Sequence, residues 1–442
     1  MPISRAHVLL AALTVVLALA SPGSRAAEAA APLRKLATLQ VLGRPLAVFD
    51  ISFVSADGVY ALSDRSNGGV EFFNSASGAF RGRATGFAGY DWTKGFDAAG
   101  PNGLVAVGRG QFWAGDGDST VKVIDLRSRR VIVRIATGGR RRTDEMTYDP
   151  RDHLVVAVNN ADDPPFVRFI SIRTRRVLGR LVLAQAADGA EQPVWDRASG
   201  LIYLSIPSLD HDQARGAAAV IDPRRRALVR LLPLARCMPA RLALGPHQHL
   251  LVGCSDDGVA AGFPARSFVM STSGRIVARL PRVGGSDEVW ADPRARRNYL
   301  AAVANTGGPV LGVVESLTDR WLGNVPTGPH AHSVAADAPT RRCSFRSLAV
   351  PAARARTAAS RCSLRAGRLR SRRAVMRHAA LRSYQQVAVE SPPDESCAAC
   401  RPTEFTLNEA QLVSLVCVPI AVAVNRKDGG FAALSTLVTA IS

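Results

Sequence analysis

The sequence lacks several motifs that would assign a chemistry directly. No Gly-x-Ser-x-Gly occurs, so the strand-to-helix elbow that presents a serine nucleophile is missing. No Cys-x-x-Cys-His occurs, which argues against an attached c-type haem. No nucleotide-binding loop or helical domain interrupts the central part of the chain. Serine hydrolase, cytochrome and nucleotide-dependent chemistry therefore find no support in the sequence.

Lysine is also scarce, because only four of the 56 basic residues are lysines and the rest are arginines. The formal net charge is +20, and residues 341–382 hold thirteen arginines and no acidic residue. Most of the excess positive charge therefore belongs to one segment. A basic arm for nucleic acid or an anionic membrane is one interpretation. A GC-rich gene read out of frame would give the same composition, and so would a natural disordered linker.

We favour the out-of-frame hypothesis, and we do not expect nucleic acid to be a partner. On this hypothesis residues 343–442 form an Arg-rich tail that is disordered or out of frame, with no strand pairing to the preceding domain. Cys397 and Cys400 have metal or redox spacing, but a second cysteine pair is missing. The apolar run 412–424 is short and contains Pro419, so we predict no transmembrane segment there.

What the sequence does contain is a repeated pair of strands. Apolar β-branched and aromatic residues alternate with small or polar ones, a pattern that fits the half-buried surface of a pleated sheet. The pair recurs about every 44 to 52 residues, and that period is typical of a β-propeller. The six pairs lie at 59–74, 112–125, 154–171, 201–222, 250–271 and 298–316.

A second element lies between these pairs of strands. It is a single strand that ends in an Asp-Pro-like turn. It occurs at 146–153, 193–200, 242–249, 289–296 and 333–340. Each unit thus has an inner strand, a turn, two middle strands and an outer strand. We predict an all-β fold, a β-propeller of about seven four-stranded blades over residues 33–342, with six blades clear and the last incomplete. A linear β-sandwich with chance spacing is the alternative.

The N-terminus has the pattern of a cleaved export signal over residues 1–27. Arg5 precedes an apolar run, and small residues come before Ala27. An uncleaved membrane anchor is the alternative, although the run is shorter than the roughly 20 residues that span a bilayer. We therefore expect a periplasmic or secreted protein, without a transmembrane segment beyond the signal.

Cys237 and Cys254 flank a predicted hairpin whose turn at residues 245–249 lies midway between them. Folding the hairpin brings the two cysteines nearly opposite each other, and an exported protein meets an oxidising compartment. We predict a disulfide between them. Two buried free thiols are the alternative, because cysteine is often a small core residue.

Five stretches resemble exported bacterial propellers of the YVTN and NHL-like type, within the quinoprotein-dehydrogenase-like propeller superfamily. They lie at 100–126, 143–171, 191–207, 285–293 and 324–342, and the resemblance covers residues 35–342. It implies a propeller fold but no single activity, since the group includes binding propellers and lactonase-like enzymes. After residue 342 the sequence departs from the family pattern, which agrees with the out-of-frame hypothesis.

The candidate functional residues lie at the starts of the inner strands, which face the central channel of a propeller. Aligning the Asp-Pro turns brings together five pairs of residues, and we expect them to converge on one channel mouth as a ligand-binding rim. The aligned pairs are Asp144 and Glu145, Glu191 and Gln192, Ala240 and Arg241, Asp287 and Glu288, and His332 and Ser333.

Three of these blades contribute carboxylates, which have two interpretations. Resemblance to gluconolactonase-type propellers implies a divalent cation with acidic and asparagine ligands, and Asn102 with Asn159 or Asn160 would supply the neutral oxygens. Alternatively, the carboxylates accept hydrogen bonds from backbone N–H groups or pair with Arg241. We favour the second interpretation.

Other candidate ligands are weaker. His330 and His332 lie on one side of an extended strand, where they could act as metal ligands. A histidine pair of this kind is more often a polar part of the propeller rim. The same holds for His247 and His249, which fall in a turn. Asp116 and Asp118 occur in Gly-Asp-Gly-Asp-Ser without the remainder of a calcium loop, so a tight turn is expected.

The sequence thus predicts an exported β-propeller that binds or scaffolds an unknown small molecule or protein. The alternative is a metal-assisted, lactonase-like hydrolase with its site at the channel mouth. Whether the protein is an enzyme stays open. No cofactor is predicted apart from the divalent cation of the second hypothesis.

Overall fold

The computed structural model describes residues 33–329, 331–337, 416–424 and 436–441. Its architecture is all-β, with six antiparallel four-stranded sheets whose strands follow one another along the chain, apart from one short strand that is inserted in the fourth sheet. The prediction of a β-propeller with six clear four-stranded blades is confirmed. The predicted signal peptide, residues 1–27, and most of the tail lie outside the described residues. No helix in the part of the chain that is described is long and apolar enough to cross a membrane.

The blades are numbered in chain order, and each begins with its inner strand. Blade 1 contains Ser52–Val54, Val59–Asp64, Gly69–Asn74 and Phe80–Thr85. Blade 2 contains Leu104–Ala106, Gln111–Asp116, Thr120–Asp125 and Arg130–Ala136. Blade 3 contains Met146–Asp149, Leu154–Asn159, Phe166–Ser171 and Val177–Val182.

Blade 4 contains Pro193–Trp195, Ile202–Ile206, Arg215–Asp222 and Ala227–Ala235. Blade 5 contains Pro239–Leu244, His249–Cys254, Ser267–Ser271 and Ile276–Leu280. Blade 6 contains Glu288–Asp292, Arg297–Ala302, Val310–Glu315 and Arg320–Pro326. A two-stranded pair, Ala186–Ala187 with Ser208–Leu209, and three short helices, Phe96–Ala98, Pro246–Gln248 and Asp256–Ala260, lie in the connections.

Burial along the strands explains the repeated pattern. Every residue of Val59–Asp64 and of Leu154–Asn159 is buried, because these middle strands are covered by blades on both faces. The outer strand Val177–Val182 alternates between exposed and half-buried residues, because it borders solvent. Each large apolar side chain buried in this way contributes about 1.5–3 kcal/mol to stability.

The hydrophobic core is divided into clusters that lie between neighbouring blades. Val156 and Phe169 of blade 3 pack with Ile202 and Ala219 of blade 4. The next cluster joins blade 4 to blade 5 in the same way, with Tyr203 and Leu250 among its members. A blade therefore buries its faces only against its neighbours, as expected for a ring of repeats.

The ring closes through a seventh sheet that contains both ends of the described chain. Its strand order is Arg34–Leu39, Thr436–Ile441, Val416–Val424 and Ala331–Ala336. The inner strand Ala331–Ala336 contacts the inner strands of blades 6 and 1. At this junction the Ser52 backbone N–H donates to Ser333 Oγ over 2.8 Å.

The expectation that no residue after 342 pairs with the ring is wrong for two strands. Val416–Val424 pairs with Ala331–Ala336, and Thr436–Ile441 pairs with Arg34–Leu39. Unpaired strand edges are unfavourable, and the entropic cost of closing a loop rises only slowly with its length, so a distant apolar segment can fill the gap. Residues 338–415 and 425–435 lie outside the described residues, and their assignment to an out-of-frame tail stays a hypothesis.

The predicted disulfide is confirmed. Cys237 and Cys254 are bonded, and their Cα atoms are 4.6 Å apart. Cys254 ends the second strand of blade 5, and Cys237 lies just before the first. The bond therefore fixes the start of the inner strand that carries Arg241.

Candidate functional site

One cavity of about 320 Å³ lies at the end of the ring where the inner strands begin. This mouth cavity brings together five of the seven residues that the sequence predicted as a rim: Asp144, Glu191, Arg241, Asp287 and His332. The other two, Glu145 and Glu288, are almost fully buried: Glu145 pairs with Arg241 of the cavity wall, and Glu288 accepts a hydrogen bond from Ser333 next to His332. The predicted residues therefore converge on one end of the ring.

Arg241 is the centre of the charge network on one side of the mouth cavity. Its Nη1 donates to Glu191 Oε2 over 2.7 Å, and its Nη2 lies 3.0 Å from Glu145 Oε1 and 3.5 Å from Asp287 Oδ1. The four residues come from different blades or the connections before them: Glu145 from blade 3, Glu191 from blade 4, Arg241 from blade 5 and Asp287 from blade 6. The arginine thus links four neighbouring segments of the ring.

Burial controls the protonation of this network. The Arg241 side chain is only 4% exposed. Removal from water raises the pKa of Glu145 well above its usual value and also raises the pKa of Glu191, although Arg241 opposes both shifts. Burial also disfavours the charged form of Arg241, but Glu145, Asp287 and Glu191 outweigh that effect, so its pKa is raised. The guanidinium stays charged and stabilises nearby carboxylates.

A second arginine, Arg65, lies on the blade 1 side of the mouth cavity. It pairs with Asp50, and its Nε and Nη2 donate to Asn102 Oδ1 over 3.0 and 2.6 Å. Asn102 therefore holds an arginine rather than offering its oxygen to a metal ion. Burial raises the pKa of Asp50, although Arg65 acts in the opposite direction.

A third arginine, Arg142, completes the network near blade 3. Its Nε lies 3.0 Å from Asp144 Oδ2 and donates to Asn160 Oδ1 over 3.1 Å. Asn160 Nδ2 donates to the same Asp144 oxygen over 2.7 Å, whereas Asn159 Nδ2 donates to Ser119 Oγ over 3.0 Å. The amide oxygen of Asn160 is therefore occupied by Arg142, whereas Asn159 Oδ1 has no hydrogen-bond partner among the described residues.

Aromatic rings, which the sequence analysis missed, form another part of the wall. Phe49 stacks on His332, with ring centroids 4.4 Å apart and planes inclined by 8°. Phe96 also lines the mouth cavity, with the Arg65 guanidinium 5.8 Å from its ring centroid. The Tyr90 ring contacts both Phe96 and Trp92, with centroid distances of 4.8 and 4.7 Å, and Trp92 is 64% exposed. The aromatic contacts run from solvent to the cavity.

Glu288 has a structural position beside the ring closure. Its Oε2 accepts hydrogen bonds from the Ser333 hydroxyl and, over 2.8 Å, from the Val334 backbone N–H. Burial is the largest effect on this carboxyl and raises its pKa to about 8, against the hydrogen bonds and Arg241, which lower it. Glu288 thus connects blade 6 to the seventh sheet rather than facing a ligand.

The residues do not fit the divalent cation that the gluconolactonase resemblance implies. Among residues 33–329 and 331–337 and the described part of the later chain, no group of three or more His, Cys, Asp or Glu side chains is arranged to hold a metal ion. The carboxylates of three blades instead surround the Arg241 guanidinium. An arginine therefore relieves the like-charge repulsion that a cation would otherwise have to relieve.

The weaker candidate ligands do not join the mouth cavity, apart from His332. His247 and His249 lie at the opposite end of the blade 5 inner strand, where His249 Nδ1 is 2.6 Å from Asp319 Oδ2. Asp116 ends a strand before a tight turn and pairs with the buried Lys122, as expected for a turn rather than a calcium loop. His330, Cys397 and Cys400 lie outside the described residues.

Comparison with known proteins identifies the fold but no family. No family model and no curated protein matches the chain. Matches to solved structures are numerous, with 1420 chains. One is hydrazine synthase from Kuenenia stuttgartiensis, with a TM-score of 0.53 and 13% sequence identity over 67% of this chain and 91% of that chain. At this identity the similarity shows the fold alone, and the chain is a β-propeller.

Proposed function

We propose that this protein is a binding propeller that takes a small polar molecule in the mouth cavity. The observation that carries the proposal is the convergence of charged residues from most of the ring, together with aromatic walls, on one concave site. Its volume of about 320 Å³ falls at the lower end of the range typical of small-molecule sites. Burial raises the pKa of Asp50 and of Glu191 and lowers that of Arg65, and shifted pKa values are frequent at functional sites.

The hydrolase hypothesis receives less support from the same residues. A metal-assisted lactonase needs carboxylates that are free to hold the ion and to activate water. Here Glu145, Glu191 and Asp287 share one guanidinium, and Asn102 accepts from Arg65. This arrangement favours recognition over metal chemistry.

The repeat type and the location belong to the same proposal. The strand-and-turn motifs at 100–126 and 285–293 support a propeller of the YVTN or NHL-like type. The leader-like residues 1–27 and the Cys237–Cys254 disulfide support export to a periplasmic or extracellular compartment, where disulfides persist. A scaffolding role would use the outer faces of the ring instead of the mouth cavity.

A thermal-shift screen of small amines, carboxylates, amino acids and sugars tests the binding proposal. Val303 lines the mouth cavity, so Val303→Trp should fill it, whereas Val182→Trp, on an exposed outer strand, is the matched control. We expect some compounds to raise the Tm of the wild type and Val182→Trp but not of Val303→Trp. Compounds that stabilise all three proteins equally, or calcium-dependent lactone hydrolysis, would contradict the proposal.

A further inference from the structure

The balance of charge in the mouth cavity indicates the class of ligand. Three guanidinium groups, those of Arg65, Arg142 and Arg241, face seven carboxyl groups among the residues that line it. Each arginine already lies within 3 Å of at least one carboxylate. The carboxyl groups are Asp50, Asp144, Asp188, Glu191, Asp256, Asp257 and Asp287.

This balance favours a cation over an anion. Arg241 Nε has no acceptor among the described residues, but an anionic ligand bound there would place a further negative charge beside Glu191 and Asp287, which already share that guanidinium. A cationic ligand would enter without breaking any of these pairs and would reduce the repulsion among the carboxylates. The electrostatic preference of the cavity is therefore for positive charge.

A buried carboxylate oxygen gives a second, independent observation. Asp144 forms part of the cavity wall, although it is only 2% exposed. Its Oδ2 accepts from Asn160 and lies beside Arg142, but its Oδ1 has no hydrogen-bond partner among the described residues. Buried oxygens without a donor are rare, because each one costs free energy. Asp144 therefore has the capacity to accept an N–H from a ligand.

The aromatic part of the wall points to the same chemistry. The faces of aromatic rings carry negative potential and attract organic cations, especially where water is excluded. Phe49 and Phe96 line the mouth cavity on different segments, and Tyr90 and Trp92 continue from Phe96 to solvent. Carboxylates combined with aromatic rings suit an alkylammonium better than a fully hydrated metal ion.

We infer that the mouth cavity binds a small organic amine in its ammonium form, with the charge among the carboxylates and the carbon chain against Phe49 and Phe96. This inference rests on the proposed binding function and specifies its ligand class. The ammonium N–H groups would donate to the wall carboxylates, with Asp144 and Asp287 as the first candidates.

Three four-carbon probes that differ mainly in charge test the inference by titration calorimetry at low salt. Putrescine carries two ammonium groups, 1,4-butanediol is neutral, and succinate carries two carboxylates. We expect saturable binding of putrescine to the wild type, with at least ten-fold weaker binding of the other two. Binding of putrescine should be lost in Val303→Trp and retained in Val182→Trp.

Side-chain variants test which residues of the mouth cavity contact the ammonium groups of putrescine. Asp287→Asn should weaken putrescine binding about ten-fold, and Phe96→Leu should weaken it about three-fold, a typical loss for one cation–π contact. Asp210→Asn, which removes an exposed carboxylate outside the mouth cavity, is the matched control and should not change the affinity. Should Asp287→Asn prove unstable, Asp257→Asn, at an exposed residue of the cavity wall, replaces it.

Two results would overturn the inference. One is cavity-dependent binding of succinate or butanediol that equals or exceeds that of putrescine, which would leave the binding function intact but exclude the amine class. The other is no binding of putrescine at millimolar concentration, in which case the compound screen decides separately whether the cavity binds anything.

Discussion

Acidic residues at the two ends of the inner strands have different kinds of partner. At the turn end, Asp149 Oδ1 accepts hydrogen bonds from the backbone N–H groups of Arg151 and Asp152, over 2.9 and 3.1 Å. Asp292 forms the same contacts with Arg294 and Ala295. At the mouth end, Glu145 and Asp287 instead face Arg241 from another blade. Acidic residues thus stabilise a local turn at one end and join distant segments at the other.

The turn contacts and the mouth contacts differ in how much they depend on the complete ring. A turn carboxylate finds its partner two or three residues away, so the partner is present as soon as the turn forms. The partners at the mouth meet only when several blades have assembled. Loss of a mouth contact should therefore cost more than loss of a turn contact, and its effect should spread across blades.

Removal of the Arg241 guanidinium should give the largest effect. Arg241→Met leaves Glu145, Glu191 and Asp287 without their shared cation, and removal of one partner from a buried ion pair costs about 3–5 kcal/mol. Arg224→Met is the matched control, because Arg224 pairs with Asp152 at the surface with 64% of its side chain exposed. Loss of that pair should lower the free energy of unfolding far less, because ion pairs that are exposed to solvent contribute little. Urea unfolding of both variants measures the difference, and equal losses would remove the distinction between the two ends.

Glu288 should make stability depend on pH. Its pKa is raised to about 8 in the folded protein, mainly by burial, with Ser333, Val334, Arg241 and Asp287 as its neighbours. The folded state therefore holds this proton more tightly than the unfolded state. The stability that it contributes is complete below the unfolded pKa and falls as pH rises through 8, by up to about 1.4 kcal/mol per pH unit.

Glu288→Gln cannot lose this proton, so its unfolding free energy should fall less steeply between pH 5 and 9 than that of the wild type. Glu315→Gln, at a half-buried residue whose pKa is lowered mainly by the Thr318 hydroxyl, should keep the wild-type slope. Parallel urea titrations across this pH range measure the slopes. Identical slopes in all three proteins would show that Glu288 titrates normally.

Loss of the disulfide should destabilise the mouth side of blade 5. The bond closes a loop between residues 17 positions apart, and a loop of that size is worth about 3 kcal/mol. The double variant Cys237→Ala, Cys254→Ala should lose this amount in urea unfolding. Reductant should lower the Tm of the wild type but not of the double variant, and an equal response would mean that another cysteine contributes.

The turn end should show the smallest effect. Asp292→Ala removes the acceptor for two backbone N–H groups and should cost about 1 kcal/mol, the usual value for a local cap. Asp292→Asn keeps a carbonyl oxygen in the same place and should recover most of that loss. A loss as large as that of Arg241→Met would mean that Asp292 also acts across blades.

The sequence was sufficient to predict the repeated architecture, the disulfide and much of the mouth. The inner strands have equivalent positions, so alignment of their starts brought Asp144, Glu191, Asp287 and His332 to one end of the ring. Cys237 and Cys254 were predictable because the register of a hairpin follows from its turn.

Other parts of the site could not be predicted from the repeat. Arg65, Arg142 and the aromatic residues of 90–96 lie in connections between strands or blades, where length and sequence vary and no equivalent position exists. Asp50 had a usable signal, because it lies just before the inner strand of blade 1, and continuing the alignment into that blade would have brought it to the mouth. Asn102 lies at the same place in blade 2 and was predicted only as an oxygen ligand of a metal ion. The hydrogen bond between Arg65 and Asn102 could not be predicted from the sequence, because the two residues come together only in the folded ring.

The central claim is that carboxylates and arginines of different blades are energetically coupled at the mouth. A double-mutant cycle with Arg241→Met and Glu145→Gln, followed by urea unfolding, tests it most directly. Glu145→Gln removes a charge that Arg241 no longer compensates in the single variant, so the double variant should recover at least 1 kcal/mol relative to the sum of the two losses. The same cycle with Arg224→Met and Asp152→Asn should give a coupling near zero. Additive losses in the first cycle would contradict the account, because the mouth would then be a set of independent surface charges.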